Sequence, residues 1–265
     1  MQYKMIVLDL DDTLLDEGRR VSSRTKRVLN NLKNDGIMIV IATGRMYCSA
    51  LPYMKQIGLS GMMITYNGAY IKDTSSGELF YHQPIAEETA RNIIEEAEDA
   101  NLHLNLYIDD RLFVEELNEY SQLYEEITGI SSEAVGKLSK YIYDDPTKLL
   151  IIEKDRSKQQ YYQNYFREKY QLEMEVTESK SFFIEFMDCG VSKGKAVEIL
   201  AGEHGFKLSE VIAIGDNWND LDMIRTAGLG IAMENAPDDL KREADMIAPF
   251  CHQEGVAAVL EDIFT

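Results

Sequence analysis

The sequence predicts an α/β protein: a core built on a parallel sheet, interrupted by an inserted α+β unit and then completed. Three observations carry this. Short, continuously apolar runs alternate with helical patterns at both ends of the chain, the middle loses that rhythm, and the charge divides in the same places. Residues 1–82 hold 10 basic and 8 acidic side chains, residues 83–188 hold 11 and 24, and residues 189–265 hold 6 and 14. The predicted domains are 1–82 together with 189–265, and 83–188 as the insertion.

Met5-Ile6-Val7-Leu8 is a short, fully apolar strand that ends at Asp9. Residues 21–35 follow with helical spacing (Val21, Val28, Leu29, Leu32), and Gly36 stops them. Residues 37–42 form a second apolar strand, bounded by Thr43-Gly44, and residues 62–65 a third. Unbroken apolar runs suit strands covered on both faces, as in a parallel sheet. A hairpin follows, residues 69–72 and 78–81 around the turn 73–77. From Pro84 the pattern changes to an acidic amphipathic helix over 87–100, a polar helix near 157–170, and strands at 104–107, 112–114, 148–152 and 182–186. After Gly190 the alternation resumes: a helix over 193–203, a strand at 211–214, a helix after Asn217, strands at 229–233 and 246–248, and a last helix near 255–263.

With 265 residues the chain can bury a substantial core, and 45% hydrophobic with 28% charged residues is ordinary for a globular protein. No apolar run reaches 18 residues, so a membrane-spanning helix is not expected. The apolar run before Asp9 is too short for an export signal. Net charge is −19, which argues against nucleic acid or an anionic membrane as partner. Cys48, Cys189 and Cys251 are widely spaced, match no metal or redox pattern, and read as buried free thiols in a reducing cytoplasm. His82, His103, His204 and His252 stand in unrelated contexts, so no histidine is assigned to a metal.

In open parallel sheets, sites form at the carboxyl ends of strands. Strand one ends in Asp9-Leu10-Asp11-Asp12-Thr13, strand two in Thr43-Gly44-Arg45, and the strand at 211–214 in Gly215-Asp216-Asn217-Trp218-Asn219-Asp220, while Lys193 opens the helix after the insertion. Crowded carboxylates repel unless a cation or proton joins them. Magnesium suits such a rim, because it takes one or two carboxylates together with waters and phosphate oxygens. An aspartate can attack phosphorus, and a carboxyl two residues on can protonate the leaving oxygen and then deprotonate water. A lysine, a hydroxyl and amides can hold the equatorial oxygens while charge builds there.

Those four segments resemble the four motifs of haloacid-dehalogenase-like hydrolases. Asn219-Asp220, Glu234-Asn235-Ala236, Tyr66-Asn67-Gly68-Ala69 and Gly190-Val191-Ser192-Lys193-Gly194 are similar to the Cof-type phosphatase subfamily. The resemblance implies a Rossmann-like core with an α+β cap that sets substrate specificity, and Mg2+-dependent hydrolysis of a small phosphomonoester, a sugar phosphate or similar metabolite. It implies Asp9 as nucleophile and metal ligand, and Asp11 as acid/base with its main-chain carbonyl on the metal. It further implies Asp216 as a metal ligand supported by Asp220. Leu10, Thr43, Gly44, Lys193 and Asn219 would hold phosphate. Asp12 stands where the family commonly has glycine, and Glu234 where the subfamily often does.

Each segment alone has a plainer reading: surface turn carboxylates, a strand-to-helix glycine, a solvated lysine, a helix cap. All four in order, each at a strand end or helix start, outweigh these readings. Trp218 reads as a cover for the first turn of its helix, and the run Glu95-Glu96-Ala97-Glu98-Asp99 as a solvated face. A phosphomutase of the phosphomannomutase-like type is the alternative, with Arg91, Arg111, Arg156 and Arg167 available for a second phosphate. A receiver-like phospho-switch needs about half this length and leaves Gly215–Asp220 unused. Composition and motifs are silent on oligomeric state.

Overall fold

Main-chain pairing makes strands of the apolar runs, in a computed structural model that describes residues 2–16 and 18–264. In chain order the first elements are β1 (Met5–Leu8), α1 (Ser23–Asn34), β2 (Met38–Ala42), α2 (Tyr47–Ile57), β3 (Met62–Thr65), β4 (Tyr70–Asp73) and β5 (Leu79–His82). The insertion contributes α3 (Glu87–Asp99), β6 (His103–Ile108), β7 (Arg111–Val114), α4 (Glu119–Thr128), β8 (Glu133–Ala134), α5 (Leu138–Tyr141), β9 (Lys148–Ile152), α6 (Arg156–Lys169), β10 (Met174–Thr177) and β11 (Phe183–Asp188). The chain then adds α7 (Lys193–Glu203), β12 (Val211–Gly215), α8 (Leu221–Thr226), β13 (Leu229–Met233), α9 (Asp238–Glu243), β14 (Met246–Ala248) and α10 (Gly255–Phe264).

Two compact units result, one of Met1–Tyr81 with Ser192–Thr265 and the other of His82–Val191. The first holds an eight-stranded sheet in the order β14-β13-β12-β1-β2-β3-β4-β5. Its strands from β14 to β3 are parallel, and β4 runs antiparallel to β3. β1 is central and fully buried, which is why its sequence is apolar on both faces. Met5, Val7, Val40, Ala42, Ile64 and Ala213 of the sheet pack with Ala196 and Val197 of α7 in one core cluster. The second unit holds a six-stranded mixed sheet, β10-β11-β9-β6-β7-β8, antiparallel except for β7 with β8. One face carries its own core, including Ile93, Ile94, Leu104, Leu106, Leu149, Ile151, Ile184 and Phe186. The architecture is thus α/β with a parallel-sheet core and an inserted α+β unit.

Local signals explain most boundaries. Ser22 caps α1 by accepting from the Thr25 amide, and Ser192 caps α7 by accepting from the Lys195 amide. That second cap starts the helix so that Lys193 lies in its first turn. Several elements carry no signal that the sequence reading used. α2 holds Pro52 in its interior, where proline normally breaks a helix. β8 is a two-residue exposed edge, and α5, α9 and β10 are short. The expectation of buried thiols is corrected: Cys48 and Cys189 are exposed and Cys251 is half-buried. No helix among the described residues is long and apolar enough to cross a membrane.

Candidate active site

The sheet order places β12 beside β1 and β1 beside β2, so three of the motif segments leave the same end of adjacent strands. Asp9 follows β1 directly and is buried, its amide donating to the Ile214 carbonyl (2.9 Å). Lys193 is fully buried and bridges two carboxylates, with Nζ 2.6 Å from Asp9 Oδ1 and 2.6 Å from Asp220 Oδ1. Asp9 Oδ2 accepts no hydrogen bond among the described residues. A lysine this deep is not a solvated helix residue. It is the counter-charge of the site.

Asp216 is buried too. Thr13 Oγ1 donates to its Oδ1 (2.9 Å), and Asn235 Nδ2 donates to its Oδ2 (3.1 Å) and to the Asp12 carbonyl (3.1 Å). Asp12 sits at φ 60, a conformation that aspartate tolerates better than most residues. Asp220 has both oxygens engaged: Oδ1 by Lys193, and Oδ2 by the amides of Asp216 (2.9 Å) and Asn217 (3.0 Å). A Cβ at Gly215 would lie 2.5 Å from the Asp220 side chain, so the glycine before Asp216 is what lets this carboxylate fold back.

Oxygens of Asp9, Asp216 and Asp220 lie within 4.8 Å of one another. Burial, more than any other cause, pushes the Asp9 carboxyl well up, Asp220 and Asp216 add to it, and Lys193 opposes it. Asp216 is pushed up to about 7, by burial first and then by Asp220 and Asp12, against the Thr13 bond and Lys193. Burial alone would lower the Lys193 ammonium, but Asp220 and Asp9 outweigh it and hold its pKa above the usual value. Lys193 bonds two of the three carboxylates, so burial, with the neighbouring acids adding to it, raises Asp9 and Asp216 despite that one positive charge. The donor set is all hard oxygen, which fits a hard divalent cation. Within the cluster, Asp220 has both oxygens taken by Lys193 and two main-chain amides.

Thr43 is buried at the end of β2, and its Oγ1 accepts from the Arg45 amide (3.2 Å). Leu10 is buried and Gly44 half-buried. Asn219 donates from Nδ2 to Asn67 Oδ1 (3.0 Å). Asp11 stands apart from the cluster. Its side chain is 46% exposed and clasped by Arg45, with Nε 2.7 Å from Oδ2 and a second bond from Nη2 to Oδ1. The Arg45 guanidinium in turn lies over the Tyr53 ring, 5.0 Å from its centroid. Trp218 is 52% exposed. The sequence reading gave no roles to Thr13, Arg45, Asn67 and Asn235, although all four lie inside segments it singled out.

A parallel-sheet unit with acids at its strand ends, interrupted by an α+β insertion, defines a class of hydrolase, and comparison with known proteins agrees. The model of the haloacid dehalogenase-like hydrolase family matches residues 6–260, and the chain belongs to that family, on its Cof-type phosphatase branch. It is a phosphoric monoester hydrolase. A 5-amino-6-(5-phospho-D-ribitylamino)uracil phosphatase of Bacillus subtilis is 29% identical over 271 residues, covering 98% of this chain and 97% of its own. A crystal structure of a Thermotoga maritima protein is 32% identical with a TM-score of 0.92, covering 99% of this chain and 98% of that one. A haloacid dehalogenase-like hydrolase from Bacteroides thetaiotaomicron is 30% identical with a TM-score of 0.90, covering 98% and 99%.

Proposed function

We propose that the protein hydrolyses a sugar phosphate or similar small phosphomonoester with Mg2+, through an aspartyl phosphate on Asp9. The observation that carries this is the Asp9 carboxylate itself, buried at the end of β1 with Oδ1 held by Lys193 and Oδ2 accepting no hydrogen bond among the described residues. Asp9, Asp216 and the Asp11 main-chain carbonyl would hold Mg2+, which when bound neutralises charge on the ester and on the acids. Asp9 Oδ2 attacks phosphorus, the ester P–O bond breaks, and the leaving oxygen takes its proton from Asp11. Water then attacks the phosphorus, Asp11 takes a proton back, and Asp9 is released with orthophosphate. Thr43, Lys193, Asn219 and the amides of Leu10 and Gly44 hold the phosphoryl oxygens. Asp220 keeps Lys193 charged and in place. Arg45 fixes the Asp11 carboxylate between turnovers.

The inserted unit is assigned the choice of ester, since the core residues recognise only the phosphoryl group. Its arginines do not favour a mutase. Arg91 is bound to Glu87 and the Ser139 and Ile142 carbonyls, Arg111 to Glu133, Arg156 to Gln159, Glu178 and the Ser181 carbonyl, and Arg167 to the Val176 carbonyl. Three free cysteines suit a reducing cytoplasm.

Phosphate release from a panel of phosphorylated metabolites tests the proposal. Release is expected with Mg2+ and without a bisphosphate activator. Ca2+ should support it poorly, because it takes about 6–8 oxygens at longer distances and can draw both Asp9 oxygens onto itself. Equal turnover with the two metals, or dependence on a bisphosphate, contradicts the reading.

A further inference from the structure

The turn that follows β3 has no role in the scheme above, yet it is strained and reaches three of the four motif segments. Tyr66 and Asn67 are consecutive left-handed residues, at φ 50 and φ 53, and Gly68 follows at φ 111. A bulky residue such as tyrosine rarely adopts that conformation. Strain of this kind persists where the surroundings over-determine the backbone, and it concentrates at functional sites. Here the surroundings are the phosphate-side segments themselves. The Tyr66 amide donates to the Arg45 carbonyl (3.0 Å) and the Asn67 amide to the Thr43 carbonyl (3.1 Å). Gly68 is pressed against the start of α7, where a Cβ would stand 2.2 Å from the Ser192 carbonyl oxygen and 3.2 Å from the Lys193 nitrogen.

The strained turn delivers one side chain, the Asn67 carboxamide. A Cβ on Gly44 would meet Asn67 Oδ1 at 2.8 Å and Nδ2 at 3.3 Å, so the carboxamide lies against the Gly44 main chain. Its Oδ1 accepts from Asn219 Nδ2 (3.0 Å). That bond uses one of the two Asn219 amide hydrogens and fixes which way the amide faces. Asn67 Nδ2, in contrast, donates no hydrogen bond among the described residues. That amide group lies beside Gly44 on a half-buried side chain bound to Asn219, two residues to which the proposed chemistry assigns phosphate.

We propose that Asn67 is a further phosphate-binding residue: Oδ1 orients Asn219, and Nδ2 donates to an oxygen of the bound phosphoryl group. The inference rests on reading this rim as a phosphate site. A turn with a structural role alone would need the backbone shape but not the carboxamide, and this distinguishes the two by substitution.

The test is calorimetric binding of inorganic phosphate, with Mg2+ present, to the full chain and to Asn67→Gly and Asn67→Asp, alongside thermal melting. Glycine adopts the left-handed turn without strain, so Asn67→Gly should melt at or above the wild-type temperature. It should nevertheless bind phosphate about tenfold or more weakly, the usual cost of losing a hydrogen bond to a charged group. Asn67→Asp keeps the acceptor for Asn219 but sets a carboxylate against the anion, so it should bind more weakly than the glycine variant. Wild-type phosphate affinity in Asn67→Gly overturns the proposal. If that variant fails to fold, wild-type affinity in the isosteric Asn67→Asp overturns it instead. Absence of phosphate binding by the wild type contradicts the phosphatase reading itself, and the inference falls with it.

Discussion

Lys193 holds Asp9 and Asp220 together inside the protein, with no exposed surface of its own. A buried ion pair adds little net stability, but removing one partner strands the other charge, at a cost of about 3–5 kcal/mol. Lys193→Met should therefore lower the melting temperature of the metal-free protein sharply. Saturating Mg2+ should recover part of the loss, because a cation bound to Asp9 replaces the missing charge. Differential scanning calorimetry with and without the metal measures both; an unchanged melt would show that the carboxylates do not depend on Lys193. The position of Lys193 at the first turn of a helix was legible in the sequence, as were Asp9 and Asp216 at strand ends. What each side chain bonds was not. Thr13 meets Asp216 across 203 residues, and Arg45 meets Asp11 across 34, and no local pattern records such pairings.

At the level of elements, the acidic run on α3 shows the same limit. By composition it is a solvated face, yet Glu96 accepts from Tyr165 (2.8 Å) and Lys169 (2.8 Å) on α6 and from Tyr170 just after it, and Glu98 accepts from the Ser139 amide (3.1 Å) and hydroxyl (2.8 Å) on α5. These bonds tie three helices of the inserted unit. Burial tends to push the Glu96 carboxyl up, but the bonds from Lys169, Tyr170 and Tyr165 outweigh it and hold its pKa below the usual value. Because the folded pKa is the lower one, the stabilisation is present above the unfolded value near ~4.3 and is lost as pH falls through the folded value. Glu96→Gln should cost about 1 kcal/mol or less at neutral pH, given solvent screening. The gap between the melting temperatures of wild type and variant should close below about pH 4. A gap that is constant with pH would mean that the carboxylate charge contributes nothing. α2 was missed for a different reason: Pro52 signals a break that packing overrides, with Ala50, Met54 and Ile57 all buried.

For the whole molecule, the division into a parallel-sheet unit and an insertion was legible because central parallel strands must be apolar on both faces. The run Met5–Leu8 and the strand Val211–Gly215 pair side by side in the sheet although about two hundred residues separate them. The strand order β10-β11-β9-β6-β7-β8 of the insertion was not legible, since short antiparallel strands separated by helices admit many pairings. The proposed reaction uses residues of the first unit alone. Its central claim is that phosphorus is transferred to Asp9 before water takes it. Asp11→Asn keeps the main-chain carbonyl at position 11 but removes the base needed for the second step, whose loss typically costs about 10²–10⁴-fold. With an aryl phosphate, whose leaving group barely needs a proton, the covalent intermediate should then accumulate. Intact-mass measurement of Asp11→Asn after mixing with an aryl phosphate and Mg2+, followed by peptide mapping, should show one phosphoryl adduct on Asp9 and none in Asp9→Asn. An adduct on any other residue would contradict the mechanism.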